Sequence, residues 1–413
     1  MLRSATWAAA TLLAALSLTS HPTSEYVAAA QVTAGAGGSG PTVHSSDGLR
    51  GPTLDQLRGA RLDAAPTPPP PPRSWTVAPG LEYSSWTRTE AQGPVRVHVL
   101  TAQMDQPGLV LDLAGGPRVT SRGPLSSLLR SDRAVAGVNG DFFDIADTGA
   151  PLGVGVDRAR RLLHAPRSGW NSTFVVDARG AARIVQDRLV AQLLPRGGRP
   201  IAVSNYNSPS VAARGIGIYD ARWGRSPGPR VVHGKGRVHQ VVIRAGIVRS
   251  SRRVLSRGAT INGHLLIGRR NGALALRALR VGQRVRVVMS DTLTARVAVS
   301  GSAQLLRNGV RTTSDNGQLH PRTAIGVDRE LRRIHLVVVD GRTASSRGMT
   351  LVQLARLMRS LGDEDALNLD GGGSSTMVAR SPAGALGVLN QPSDGRQRPV
   401  ANGLGFRYTA TGS

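Results

Sequence analysis

The 413-residue chain carries 52 Lys and Arg against 26 Asp and Glu, a net charge of +26, and it contains no cysteine. That last count excludes disulfides, thiolate nucleophiles, cysteine-ligated zinc and lipid attachment through an N-terminal cysteine. Aromatic residues are 3% of the chain within a hydrophobic fraction of 40%, so the core is aliphatic, and its β-branched share disfavours an all-helical fold.

The basic balance is almost entirely arginine, because Lys235 is the only lysine. The arginines are scattered through every segment and the aromatics are few, unlike the patched, aromatic-interleaved surface of a nucleic-acid binder. The scatter reads first as compositional bias with solvated faces; the functional alternative is attraction to an anionic substrate or surface.

From the N-terminus, Arg3 precedes an apolar run, Ala8 to Leu18, and Ala28 to Ala30 offer a small-residue cleavage site. Residues 1–30 therefore read as a signal peptide of a secreted or envelope protein, the apolar run being too short to span a bilayer. No later stretch reaches transmembrane length. Residues 31–73 are rich in Gly, Ser, Thr and Pro and end in AAPTPPPPPR, which reads as a linker without fixed structure, its final prolines a stiff spacer.

The folded domain is expected over 74–413. Alternating apolar residues mark strands at Val95–Leu100 and Leu109–Ala114, separated by a Gln-Pro-Gly turn. Further strands are expected at RAVAGVN, STFVVD, QVVIRAG, QRVRVVMS, TARVAVSG, RTAIGVD, RIHLVVVDG, DALNLDGG and STMVAR. Two helices are expected, Pro124–Ser131 and Met349–Gly362, the second with apolar residues at helical spacing, Thr350 as its cap and Gly362 at its end. The fold class is α+β, a large mixed β-sheet core with few helices in a single catalytic domain.

Four strand ends join a buried-looking run to polar residues and glycine: VNGDFFD (Val138 to Asp144), HPRTAIGVD (His320 to Asp328), HLVVVDGR (His335 to Arg342) and NLDGGGSSTMV (Asn368 to Val378). Singly these are turns; together they suggest one shared site, because rigid strand ends hold polar groups in place. GGGSST is no P-loop, since it lacks the Gly-Lys-Ser/Thr ending and runs into a strand; GIGIYD lacks the third glycine of a dinucleotide turn.

In this order, and together with VSGSAQLLRNG (Val299 to Gly309) and NQPSDGRQRPVANGLGF (Asn390 to Phe406), the motifs resemble the phosphodiester glycosidase family from about Pro79 to Tyr408. The resemblance implies a secreted hydrolase of a sugar-1-phosphate diester, with a phosphate-bearing glycan or sugar phosphate as its substrate. Such a reaction asks for cations on the phosphate, a carboxylate near the anomeric carbon and donors to the sugar. Arg322 and Arg342, with Thr323, are expected at the phosphate through the planar guanidinium fork. Asp370 is expected to be the catalytic carboxylate or a metal ligand, then Asp340 and Asp141. Asn139 and Asn368 are expected to hold sugar hydroxyls, Ser374 and Ser375 the phosphate, and the amides of Gly371, Gly372 and Gly373 to floor the pocket. Of the motif histidines, His320 and His335, the second reads as structural. Clustered aspartates suit a hard divalent cation, Ca²⁺ or Mg²⁺, although no calcium loop or HExxH pattern occurs. Two other readings stay open: a non-catalytic module binding an anionic glycopolymer, and a metal-dependent phosphodiesterase that cuts P–O.

Overall fold

The computed structural model describes residues 70–234 and 236–410. The expected leader and most of the Pro-rich linker lie outside the described residues. The last of the proline tract is held against the fold, because the Arg96 guanidinium donates to the carbonyls of Pro70 (2.9 Å) and Pro71 (3.2 Å). The first strand begins two residues later, at Arg73.

Two sheets build the site. The larger has eight antiparallel strands, in the order Arg73–Ala78, Leu81–Glu90, Gly93–Gln103, Arg333–Val339, Arg322–Asp328, Asp365–Leu369, Ala303–Arg307, Val310–Arg311. Its central strands are apolar at both parities, so both faces are buried. Val97, Val99, Ala324, Val337 and Ala366 meet the helix Leu351–Ser360 on one side. Leu100, Ile325, Leu336, Val338 and Leu367 enter the main core on the other.

A strand buried on both faces loses the in/out pattern that normally fixes register. Here one glycine restores it. A Cβ on Gly326 would overlap the buried carboxylate of Asp363, which is itself 2.9 Å from His335 Nδ1. A slip by one residue would drive Ile325 or Val327 into that carboxylate.

The helix Leu351–Ser360 begins where expected. Thr350 Oγ1 accepts from the Gln353 amide (3.2 Å) while Gln353 Oε1 accepts from the Thr350 amide (3.0 Å), a capping box that contributes about 1 kcal/mol. It buries Leu351, Leu354, Ala355, Leu357 and Met358.

The second sheet has five antiparallel strands, in the order Leu386–Val388, Met377–Arg380, Ala136–Asn139, Asn402–Tyr408, Leu109–Gly115. The helix Leu125–Ser131 covers it with Leu125, Leu128 and Leu129. A ten-stranded sheet, antiparallel except where Asn205–Tyr206 runs parallel to Ile216–Tyr219, flanks these two and has its own core around Val241, Leu266 and Leu276. The helix Asn271–Arg277 was not expected from sequence. Among the described residues no helix is long and apolar enough to cross a membrane.

Candidate active site

The strand Asp365–Leu369 ends in the large sheet at Asp370, and by Met377 the chain has entered the five-stranded sheet, pairing with Val138. The glycine-rich turn is the crossing between sheets. Gly372 takes a positive φ of 60°, which a side chain would resist, and a Cβ on Gly373 would overlap Arg398 and Asp394. What comes close to the glycines is an ion pair of this chain: Arg398 Nε donates to Asp394 Oδ2 at 2.9 Å, and its other arm reaches Ser374 Oγ at 3.5 Å.

Asn139 clamps the crossing. Its Nδ2 donates to the Asp370 carbonyl (2.6 Å), and its Oδ1 accepts from the Thr376 amide (3.0 Å) and the Thr323 hydroxyl (2.8 Å). Thr323 also reaches Ser375 Oγ at 3.3 Å. The expected sugar donor is thus committed on both side-chain atoms to the backbone around Asp370, and Thr323 and Ser375 belong to the same clamp.

Asp141 and Asp370 share this place. The Asp370 amide donates to the Gly140 carbonyl (3.0 Å), which joins the two strand ends. Asp141 is buried, and burial, with the Asp370 charge adding to it, pushes its carboxyl well above the usual carboxylate range. Its Oδ2 accepts from the Gly153 amide (3.2 Å), and that loop is held from below by Ser300 Oγ, which accepts from the Val154 amide (2.8 Å). Among buried side-chain atoms with no protein partner are Asp141 Oδ1, Asn368 Oδ1, Thr376 Oγ1 and Asn402 Nδ2. Asn402 accepts from the Asp141 amide through its other atom (2.8 Å), and Asn368 donates to Ser302 Oγ (2.9 Å). Buried polar atoms are ordinarily paired, so several around one acid pair call for a further partner, water or ligand.

Asp340, Arg322 and Arg342 make contacts of their own. Asp340 is buried with both oxygens engaged: Oδ2 with His98 Nε2 (3.1 Å), Oδ1 with Asn390 Nδ2 (3.1 Å) and the Gln391 amide (3.0 Å). His98 is held from behind by the Tyr83 hydroxyl (2.8 Å). Asp340 therefore braces Asn390, which in turn donates to the Ser375 carbonyl (3.1 Å) and accepts from the Met377 amide (2.8 Å). Arg322 is buried and donates to the carbonyls of Met349 (2.9 Å) and Gln318 (3.2 Å). Arg342, at a positive φ of 63°, is 2.9 Å from His320 Nδ1. Burial, with the charges of Arg322 and Arg342 beside it, drives His320 down to about 3, so the ring is neutral, accepts from Arg342 at Nδ1 and donates at Nε2 to Gln318 Oε1 (3.1 Å).

Sequence reasoning missed Asn402, Asn390, His98, Ser300 and the Arg398–Asp394 pair. Asn390, Asp394, Arg398 and Asn402 all lie in the NQPSDGRQRPVANGLGF motif, which carried the family resemblance but no site assignment. Among the described residues no group of three or more His, Asp or Glu is placed to hold a metal ion.

Residues 237–407 match the sequence model of the phosphodiester glycosidase family. A prophage-derived protein of Bacillus subtilis, YomE, is 36% identical over 97 residues, which are 24% of this chain and 14% of that protein. The chain thus spans about a seventh of that relative. Among solved structures, a hypothetical protein from Synechocystis superposes with a TM-score of 0.70 at 23% identity, over 84% of this chain and 65% of that one. An exported-protein candidate from Burkholderia pseudomallei superposes with a TM-score of 0.63 at 24% identity, over 76% of this chain and 74% of that one. These two likenesses show a shared fold. The match over 237–407, under half of the chain, falls within the stretch whose motifs resemble the same family.

Proposed function

We propose that the protein hydrolyses glycosyl phosphodiesters at the anomeric C–O bond, with Asp370 and Asp141 as its acid pair. The observation that supports this most is the concentration of unpartnered buried polar atoms around two adjoining carboxyls, one of them raised well above the usual carboxylate range by burial. Two carboxyls whose surroundings push their protonation apart can divide acid and base roles at neutral pH.

In this reading Asp370 is the carboxylate at the anomeric carbon and takes a proton from the attacking water. The C1–O bond breaks, its electron pair leaves on the phosphate oxygen, and the products are a free sugar and a phosphate monoester. Asp141, kept protonated, donates a hydrogen bond within the site, and Asn368 Oδ1 and Asn402 Nδ2 accept from and donate to the sugar. Arg398, beside the glycine turn, faces the departing charge; Arg322 and Arg342 hold the loop walls and add positive potential. Asn139 and Asp340 are positioning residues, fixing the crossing through Asp370 and Ser375.

The setting in this proposal is extracellular: residues 1–30 an export leader, 31–73 a spacer, 74–413 the hydrolase domain. Asp370→Asn should lower kcat on the methyl phosphodiester of N-acetylglucosamine 1-phosphate by at least about a thousandfold, with an unchanged melting curve. Activity within tenfold of wild type would remove Asp370 from the mechanism.

A further inference from the structure

A groove leads away from the acid pair, and nothing above assigns it. Its inner end is a cavity of about 420 Å³ lined by Trp170, Asn171, Gln186 and Ser302, among others. A second cavity of the same volume continues it through Asn171 and Gln186 to Arg167 and Arg188. The inner end adjoins the site directly, since Ser302 Oγ accepts from Asn368 Nδ2.

Trp170 is the unusual residue here. It holds a positive φ of 58°, a conformation that a bulky side chain adopts only when its surroundings impose it. The imposed pose lays its ring against Phe142, centroids 5.1 Å apart, and Phe142 is the residue after Asp141. The indole is only partly buried, so part of it lines the groove. A strained, braced, half-exposed indole flanked by amides and hydroxyls is a surface for a sugar ring, which offers apolar C–H faces and hydroxyl edges. Farther out, the exposed arginines Arg167 and Arg188 suit a phosphate, the Asp187 carboxylate in the same lining being buried and accepting from the amides of Arg188 and Thr292.

We propose that this groove binds the continuing chain of a polymeric substrate, a glycan whose sugars are joined by phosphodiesters: a sugar on the indole of Trp170 and the following phosphate between Arg167 and Arg188. The inference rests on the hydrolase reading and narrows its substrate class from a simple diester to a polymer.

The test compares two synthetic substrates: the methyl phosphodiester of N-acetylglucosamine 1-phosphate, and a trimer of N-acetylglucosamine joined by 1-phosphodiesters. Wild type should prefer the trimer by roughly tenfold or more in kcat/KM. Trp170→Ala, and separately Arg167→Ala with Arg188→Ala, should each erase most of that preference, and Trp170→Phe should restore part of it. The arginine pair is exposed, so its replacement reads the groove even if Trp170→Ala unfolds. Equal kcat/KM on both substrates, or a preference that both replacements leave intact, overturns the groove while the hydrolase reading stands. Titration of the trimer into Asp370→Asn protein separates the converse case. Binding weakened about tenfold by the arginine replacements, with no turnover of either substrate by wild type, keeps the groove and removes the hydrolase.

Discussion

At the scale of single residues, the proposed chemistry turns on Asp141. Its carboxyl is raised in the folded protein, so its protonated form is the one the fold favours: the stability it gives is full below the ordinary carboxylate range and is lost as pH rises through the raised value. On the proposed mechanism the same titration governs function. Activity should fall on the alkaline side as Asp141 ionises beside Asp370. Asp141→Asn, which keeps a neutral hydrogen-bonding group there, should flatten both that limb of the kcat/KM profile and the alkaline loss of stability. A pH series of rates and melting temperatures checks both; an alkaline limb that survives in Asp141→Asn assigns the titration to another group. His320 does not supply it, because its neighbours hold the ring neutral down to about pH 3.

At the scale of elements, two glycines mark where the sheets are fixed and where the site is shaped. Gly326 lies under the carboxylate of Asp363, a short buried side chain that has little room to move. Gly326→Ala should cost about 1–3 kcal/mol, the usual penalty for overpacking, read as a lower denaturation midpoint at unchanged slope. Gly373 is different, since its neighbours Arg398 and Asp394 are partly exposed and Arg398 is long and flexible. Gly373→Ala should therefore displace the ion pair more than it destabilises the fold: activity should drop by about tenfold or more with a melting temperature within a few degrees of wild type. A loss of stability matching that of Gly326→Ala would show that the turn serves folding and not the site.

At the scale of the whole molecule, the site is made by two sheets meeting, and this decides what the sequence could reveal. Long apolar runs such as RTAIGVD and RIHLVVVDG, and the helix with its Thr350 cap, are legible because their pattern is local. The strand Asn205–Tyr206 is too short to show a period, and so the ten-stranded sheet is only partly foreseeable. The four motif ends are linked through Asn139, Thr323, Ser375 and, by way of Asn390, Asp340, yet the duties within them were not legible. Asn139 and Asp340 are the residue types that hold substrates, and only their orientation commits them to the backbone of the crossing and to His98. The closest packing at the glycines is likewise internal, by Arg398 and Asp394, although a phosphate was the expected neighbour. Asp141 also lies outside the stretch 237–407 that matches the family, and joins it because the strand Ala136–Asn139 inserts between Met377–Arg380 and Asn402–Tyr408.

In the proposed reaction the bond broken is anomeric C–O, at the Asp141–Asp370 pair. Hydrolysis of the methyl phosphodiester of N-acetylglucosamine 1-phosphate in heavy-oxygen water, followed by mass spectrometry of both products, tests it most directly. Label is expected in the sugar, formed by wild type and not by Asp370→Asn; label in the phosphate would contradict C–O cleavage.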